Sequence, residues 1–240
     1  PRPCLTIDKI NQYRMQIVNE IRKNRPAVKV RPIDNKSDPK TAEVFQGVIR
    51  HIEDTSNANL AYESAAEWAI DTGEGYFRFV TDYIDENSFH QEIKIVPVYD
   101  AFAVYLGPHL SPDGSDAEYG FVLEDLPEAS FKRQYPKAKI PTDDMDDESP
   151  FWLGEETVRI AEYFYFEYEQ AKIYHVVDGT AEGMVISDEE YDAAPVKPEV
   201  IEERMTTIRS VKWCKLTGKE ILEKRDWAGK YIPIVKVVGH

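Results

Sequence analysis

The chain has 240 residues, of which 42% are hydrophobic and 30% charged, and its formal net charge is −15. That composition fits a soluble globular protein of one large or two modest domains, and the negative charge opposes a sequence-reading DNA-binding domain, which would be basic. No apolar run approaches the ~20 residues that span a bilayer, and no basic-then-apolar signal segment is present, so no membrane partner is expected. The sequence opens PRPCLTIDKI, without methionine and already close to a helix start, which suggests a piece of a longer polypeptide. Cys4 and Cys214 lie far apart with no metal-site spacing and read as reduced thiols of a cytoplasmic protein.

Residues 6–25 have the spacing of an amphipathic helix, with Ile10, Tyr13 or Arg14, Ile17 and Ile21 on one face. Thr6 is placed to cap it, and Asn24-Arg25 before Pro26 ends it. Its last turn is basic, as a helix C-terminus prefers, and the extended piece that follows, residues 28–33, completes the one basic neighbourhood of the chain, read as a solvated face. Asp38-Pro39 supplies a cap and a first-turn proline. The helix after it carries Ala42, Phe45, Val48, Ile49 and Ile52 on one face and breaks at the polar residues 54–57.

Residues 57–83, NANLAYESAAEWAIDTGEGYFRFVTDY, contain one complete structural event and are expected to organise the rest. Ala58, Ala61, Ala65, Trp68 and Ala69 recur at helical spacing, and the small alanines would let another element approach closely. Asn57 is expected to cap the helix with its side chain. Gly73 and Gly75 form the corner that stops it, because glycine tolerates the left-handed conformation, and residues 76–83 follow as an aromatic, β-branched strand. Trp68 is the one bulky anchor, expected against Phe77 or Phe79 or, alternatively, on a subunit interface. The Gly-x-Gly corner is not a dinucleotide fingerprint. That motif runs strand, glycines, helix, whereas here the glycines meet a helix C-terminus, which repels phosphate.

From residue 76 the period becomes two. Strands are expected over 91–98, with Pro97 marking an edge, and over 101–106 and 119–123. Turns at 107–108 and 111–116 separate them, and a short helix spans 128–135. The acidic run 142–150 reads as a linker. Beyond it, 158–168 and 171–177 are expected to pair across a turn, Asp178-Gly179 is a turn signal, and 187–198 is an acidic loop with one helical turn. The strand ending near Leu216 turns back at Thr217-Gly218, and 231–238 forms a last strand. The fold class is therefore α+β. N-terminal amphipathic helices pack on mixed or antiparallel strands over 1–141, the linker is 142–150, and a β-rich part fills 151–240.

The five histidines are scattered, and no HExxH, nucleophile elbow or P-loop is present. No cofactor or metal is expected, and the profile suits an assembly component better than an enzyme. A carboxylate-dependent nuclease using Asp143, Asp144, Asp146 and Asp147 with Mg²⁺ is the enzymatic alternative, although the glycine and ligand spacing of a calcium loop are missing.

Several segments together resemble the portal proteins of short-tailed double-stranded-DNA phages: RPCLTIDKINQ, IRKNRPAVKVRP, the run ending IRHIEDTSNANLAYESAAEWAIDTGEGYFRFVTDY, VYDAFAVYLGP, SPDGSDAEYGFVLEDLP, FKRQYPKAK, VRIAEYFYFE and VKWCKLTGKEILEKRDWAGKYIPIV. The resemblance covers nearly the whole chain in order and singles out no functional residue. It implies a ring, usually of twelve subunits, at one capsid vertex of the virion, assembled in the host cytoplasm. Double-stranded DNA passes through it, driven by terminase, and it later holds the tail adaptor; capsid and scaffolding proteins are further partners. The first part would be wing and stem, and the β-rich part would include the clip. Another neck or tail component of the virion is the structural alternative. An acidic channel wall would hold DNA without gripping it, since each phosphate neutralised adds affinity that a sliding polymer must break.

Overall fold

The computed structural model describes residues 8–24, 27–32, 38–140, 152, 154, 156–177 and 183–239. In chain order the elements are α1 (Ile10–Lys23), α2 (Pro39–Thr55), α3 (Ala58–Thr72), β1 (Glu74–Tyr83), β2 (Gln91–Pro97), a 3-10 turn (Ala101–Ala103), β3 (Val104–Leu106), β4 (Tyr119–Pro127), α4 (Glu128–Gln134), β5 (Thr157–Val176), β6 (Met184–Ser187), α5 (Asp188–Ala193), β7 (Val200–Leu216), β8 (Ile221–Trp227) and β9 (Ile234–Val238). Three long helices precede the strands, two short ones, α4 and α5, fall among them, and the strand pairs β1–β2, β1–β9, β3–β4, β5–β6, β5–β7 and β7–β8 are antiparallel, an α+β arrangement. The chain forms two compact units, Pro1–Glu124 with Pro233–His240, and Asp125–Ile232. The boundary between them falls at Asp125, inside β4, and the last strand returns to the first unit. The acidic run itself and the Asp178-Gly179 turn lie outside the described residues.

In the first unit a three-stranded sheet has the order β2-β1-β9. Pro97 lies on the edge strand β2, opposite Phe77, where its missing N–H costs no ladder bond. The helix α3 lies on this sheet through the buried face of Ala58, Ala61, Ala65 and Ala69. Ala58, Ala61 and Ile95 form a core cluster that Ile52, Tyr62, Phe77 and Phe79 extend.

The helix α1 packs on α3 largely through charge. Glu63, Glu67 and Asp71 stand one turn apart on α3, and Arg22 reaches Glu63 at 3.0 Å and Glu67 at 2.6 Å while Arg14 pairs with Asp71. That ionic ladder turns Arg14 and the buried Val18 inward, so the apolar residues expected to be the packing face, Ile10, Tyr13 and Ile17, point outward. Thr6 lies outside the described residues; Asp8 Oδ1 accepts from the N–H groups of Ile10 and Asn11 in the first turn.

In α2, Asp38 caps Lys40 N–H and Pro39 takes the first position. Three of the five residues of its expected apolar face are partly covered. Ala42, Ile49 and Ile52 are half-buried, whereas Phe45 and Val48 remain 57% and 49% exposed. Asn57 does not cap α3 with its side chain. It takes φ 49 and ψ 48 in the tight link from α2, and its carbonyl accepts Leu60 N–H, a left-handed conformation that asparagine tolerates.

The second unit is built on a ladder between β5 and β7 that runs from Ala161↔Leu216 to Val176↔Val200. The expected turn between 168 and 171 is absent. Glu169 and Gln170 have no preference for positive φ, and β7 offers an uninterrupted partner, so the two expected strands are one of 20 residues, about 65 Å at ~3.4 Å per residue. Among the described residues one core cluster lies near its start and another at its far end, and Phe164, Val211 and Trp213 are buried along the ladder after the first. Near the start, Phe131, Val158 and Ile160 are buried with Leu126, Tyr135 and Leu222 around them. At the far end, Tyr174, Val176 and Ile186 gather Tyr191 and Val200, and α5 is fixed there by a capping box between Ser187 and Glu190.

Candidate functional site

The corner after α3 is shaped by close backbone approach. Gly73 ends the helix at φ 93, its N–H donating to Ala69 O, and its own carbonyl accepts Gly239 N–H at 3.0 Å. A Cβ on Gly75 would collide with the Ala65 carbonyl, and one on Gly239 with the Ala69 carbonyl. The alanine stripe of α3 and these glycines therefore let β1 and β9 lie directly on the helix backbone, where no larger side chain fits.

Trp68 does not pack against Phe77 or Phe79. Its indole N–H donates to Tyr99 O at 2.9 Å and its ring meets Phe102 edge-on at 5.9 Å. The aromatics on Phe77 are Tyr62, at 5.1 Å, and Phe79, at 6.0 Å. A half-buried Trp68 thus holds the segment after β2 rather than the sheet's centre. The cause is helical phase: the stripe's buried positions are filled by alanines, and Trp68 stands at their margin.

Sequence reading missed the ionic cluster beside this corner. Lys236 of β9, its side chain 7% exposed, places Nζ 2.6 Å from Glu74 and 3.4 Å from His109 Nε2. His109 Nδ1 lies 2.8 Å from Gly107 O; a carbonyl only accepts, so Nδ1 carries the proton and the Nε2 lone pair faces the ammonium. Tyr76 donates to Glu74 at 2.8 Å. The hydrogen bonds from Lys236 and then Tyr76 hold the Glu74 carboxyl below the usual range, while burial first, and Glu74 second, push the Tyr76 hydroxyl up. The cluster ties β9, β1 and the loop after β3 together. Its members run from Glu74 to Lys236 in the sequence, and no local spacing announces them.

An open cleft of about 300 Å³ in the second unit is lined by residues 134–138 and 220–222, where Glu220 already accepts Lys139 N–H. Among the described residues no group of three His, Cys, Asp or Glu is gathered as a metal site, and Asp143, Asp144, Asp146 and Asp147 lie outside those residues. Cys214 is a buried free thiol, pushed up by burial.

The description Phage P22-like portal protein belongs to a family model that matches residues 1–240. The chain belongs to that family. It is 25% identical over 257 residues to a portal protein of Acyrthosiphon pisum secondary endosymbiont phage 1, covering 99% of this chain and 35% of that protein. It therefore spans about a third of the length of that curated relative. For a portal-family chain the geometry is coherent: structural contacts dominate the glycine corner and the ionic cluster, and among the described residues apolar side chains stand exposed on α1 and α2 and at the β1–β2 tip.

Proposed function

We propose that the protein is a subunit of the head-to-tail connector of a short-tailed double-stranded-DNA phage. In this reading the full-length protein closes into a ring, usually of twelve copies, at one capsid vertex of the virion. Duplex DNA is packaged and ejected through it without sequence preference, and it contacts terminase, the tail adaptor, capsid and scaffolding proteins. The observation that carries this reading is the family match across all 240 residues. Two physical features support it. A head-to-tail contact between unlike surfaces generates a ring when its rotation closes, and the chain exposes unlike surfaces. A net charge of −15 leaves passing phosphates ungripped.

Negative-stain images of the full-length protein test the reading. Closed rings are expected, and a monomer that persists at high concentration in light scattering overturns it. In a mobility-shift assay this 240-residue chain is expected to bind duplex DNA weakly and indifferently to sequence; sub-micromolar, sequence-selective binding at physiological salt contradicts the DNA part.

A further inference from the structure

Charge is distributed very unevenly along the chain. Residues 1–52 hold 11 Lys and Arg against 5 Asp and Glu, and the remaining residues hold 18 against 39. Part of the positive excess is built into one surface. The strap of residues 27–32 lies along α2, held by Gln46, which accepts Val30 N–H at 2.8 Å and donates to Val28 O at 2.6 Å. This pairing sets the exposed Lys29 and Arg31 beside the helix. On α2 itself the exposed charges include Lys40 and Arg50 against Glu43 and Asp54, and between them Val44, Phe45 and Val48 form an uncovered apolar stripe.

The opposite combination occurs at the β1–β2 tip. The loop is ordered by its own hydrogen bonds: Ile84 N–H donates to His90 O, Asn87 N–H to Asp85 Oδ1, and His90 N–H to Ser88 Oγ. It nevertheless holds Phe89 96% exposed, with Tyr83 and Ile84 about half exposed beside it. The exposed charges on this loop are Asp85 and Glu86. A fixed loop that presents an aromatic to water, rimmed by carboxylates, has the composition of an interface anchor.

We propose that the β1–β2 tip of one copy docks on the α2–strap surface of the next copy, with Phe89 against Val44, Phe45 and Val48 and the tip carboxylates facing Lys29, Arg31, Lys40 and Arg50. This rests on the connector reading above. The two surfaces differ, so the contact is head-to-tail and propagates around a ring. A second copy is the occupant because the chain itself carries both complementary halves, apolar to apolar and acidic to basic, with Lys29, Arg31, Lys40 and Arg50 outnumbering Glu43 and Asp54 on the α2–strap surface.

The test uses full-length protein. A photo-cross-linking amino acid replaces Phe89, and rings are assembled from an equal mixture of ¹⁴N- and ¹⁵N-labelled chains. Cross-links from the tip to residues 27–55, with half of the pairs mixed in isotope, are expected. Unmixed pairs, or links only to residues outside those 240, overturn the docking. In parallel, Phe89→Ala and the pair Asp85→Lys and Glu86→Lys are expected to lower ring yield at least tenfold with unchanged melting temperature, and Lys40→Glu with Arg50→Glu to restore the charge-reversed variant. Wild-type rings together with normal rings from these variants sink the docking alone. A wild type that forms no rings removes the connector reading as well.

Discussion

The contact of α3 with β1 and β9 and the middle of the β5–β7 ladder reach order by opposite means. In the first, Ala61, Ala65 and Ala69 are nearly inaccessible and glycine faces backbone, so stability comes from distance: dispersion needs close, continuous contact. In the second, Glu167, Tyr168, Glu169 and Gln170 are exposed, neither β6 nor β8 reaches them, and cross-strand partners such as Gln170 and Thr207, 2.8 Å apart, replace a core. A two-stranded stretch is marginal alone, and this one is anchored by the cores at its two ends. Small side chains therefore mean tight packing in the first region, whereas large exposed ones mean only lateral contacts, such as Tyr168 on Phe166, in the second.

The largest effect is expected where an end of the ladder is anchored. Phe131 is 0% exposed beneath Val158 and Ile160, and Phe131→Ala should cost about 3–5 kcal/mol, a large share of a domain's stability of ~5–15 kcal/mol; a denaturant melt unchanged by the substitution would remove the claim that end cores hold the ladder. Next comes Gly75→Val, which drives side-chain atoms into the Ala65 backbone. Overpacking typically costs about 1–3 kcal/mol, and the upper end is expected because backbone cannot rotate away; Gly75→Ala tolerated within error in thermal melts would break the close-approach argument.

Tyr62 and Tyr76 sharpen the contrast by pH. Burial, aided by Glu53, pushes Tyr62 up to about 12, and Tyr76 is pushed up too. Both folded values exceed the unfolded value near ~10, so their contribution is complete below that pH and is lost as pH rises toward the folded values. With solvent screening discounted, Tyr62 contributes about 1 kcal/mol. Melting temperature should fall faster above pH 10 in the wild type than in Tyr62→Phe; parallel curves count against it. Trp68→Ala, which removes one hydrogen bond and one edge-on contact, is expected to cost about 1–2 kcal/mol, short of the loss of a core aromatic. Finally, Gln170→Ala at mid-ladder should stay within about 0.5 kcal/mol, and a larger loss would mean that this stretch carries more than register.

Much of the first region is legible in sequence because its causes are local. The alanine period of α3, the Gly73 stop and the Asp38-Pro39 start each follow from residues a few positions apart. The outward turn of Ile10, Tyr13 and Ile17 is not, since the competing ionic face depends on Glu63, Glu67 and Asp71 being brought alongside. Their spacing of four was the available signal. The fused β5 strand escapes prediction for a related reason: period-two alternation breaks at Glu169-Gln170, and only the partner strand shows that the chain continues straight. The Lys236 cluster and the return of β9 are set by topology and leave no trace in local pattern.

That return has a consequence in time. The strand β9 pairs with β1 from Glu74↔Val238 to Arg78↔Ile234, while all of Asp125–Ile232 is synthesised in between. On a ribosome adding ~5–20 residues per second, β1 waits on the order of ten seconds with one edge unpaired, and an unpaired edge is a template for the wrong neighbour. A second unit that folds as it emerges would bring the last strand home quickly; one that lingers prolongs the interval in which nascent chains on a crowded polysome can exchange strands. Premature termination before Pro233 should therefore yield a product defined less by what it lacks than by an adhesive edge it never closes.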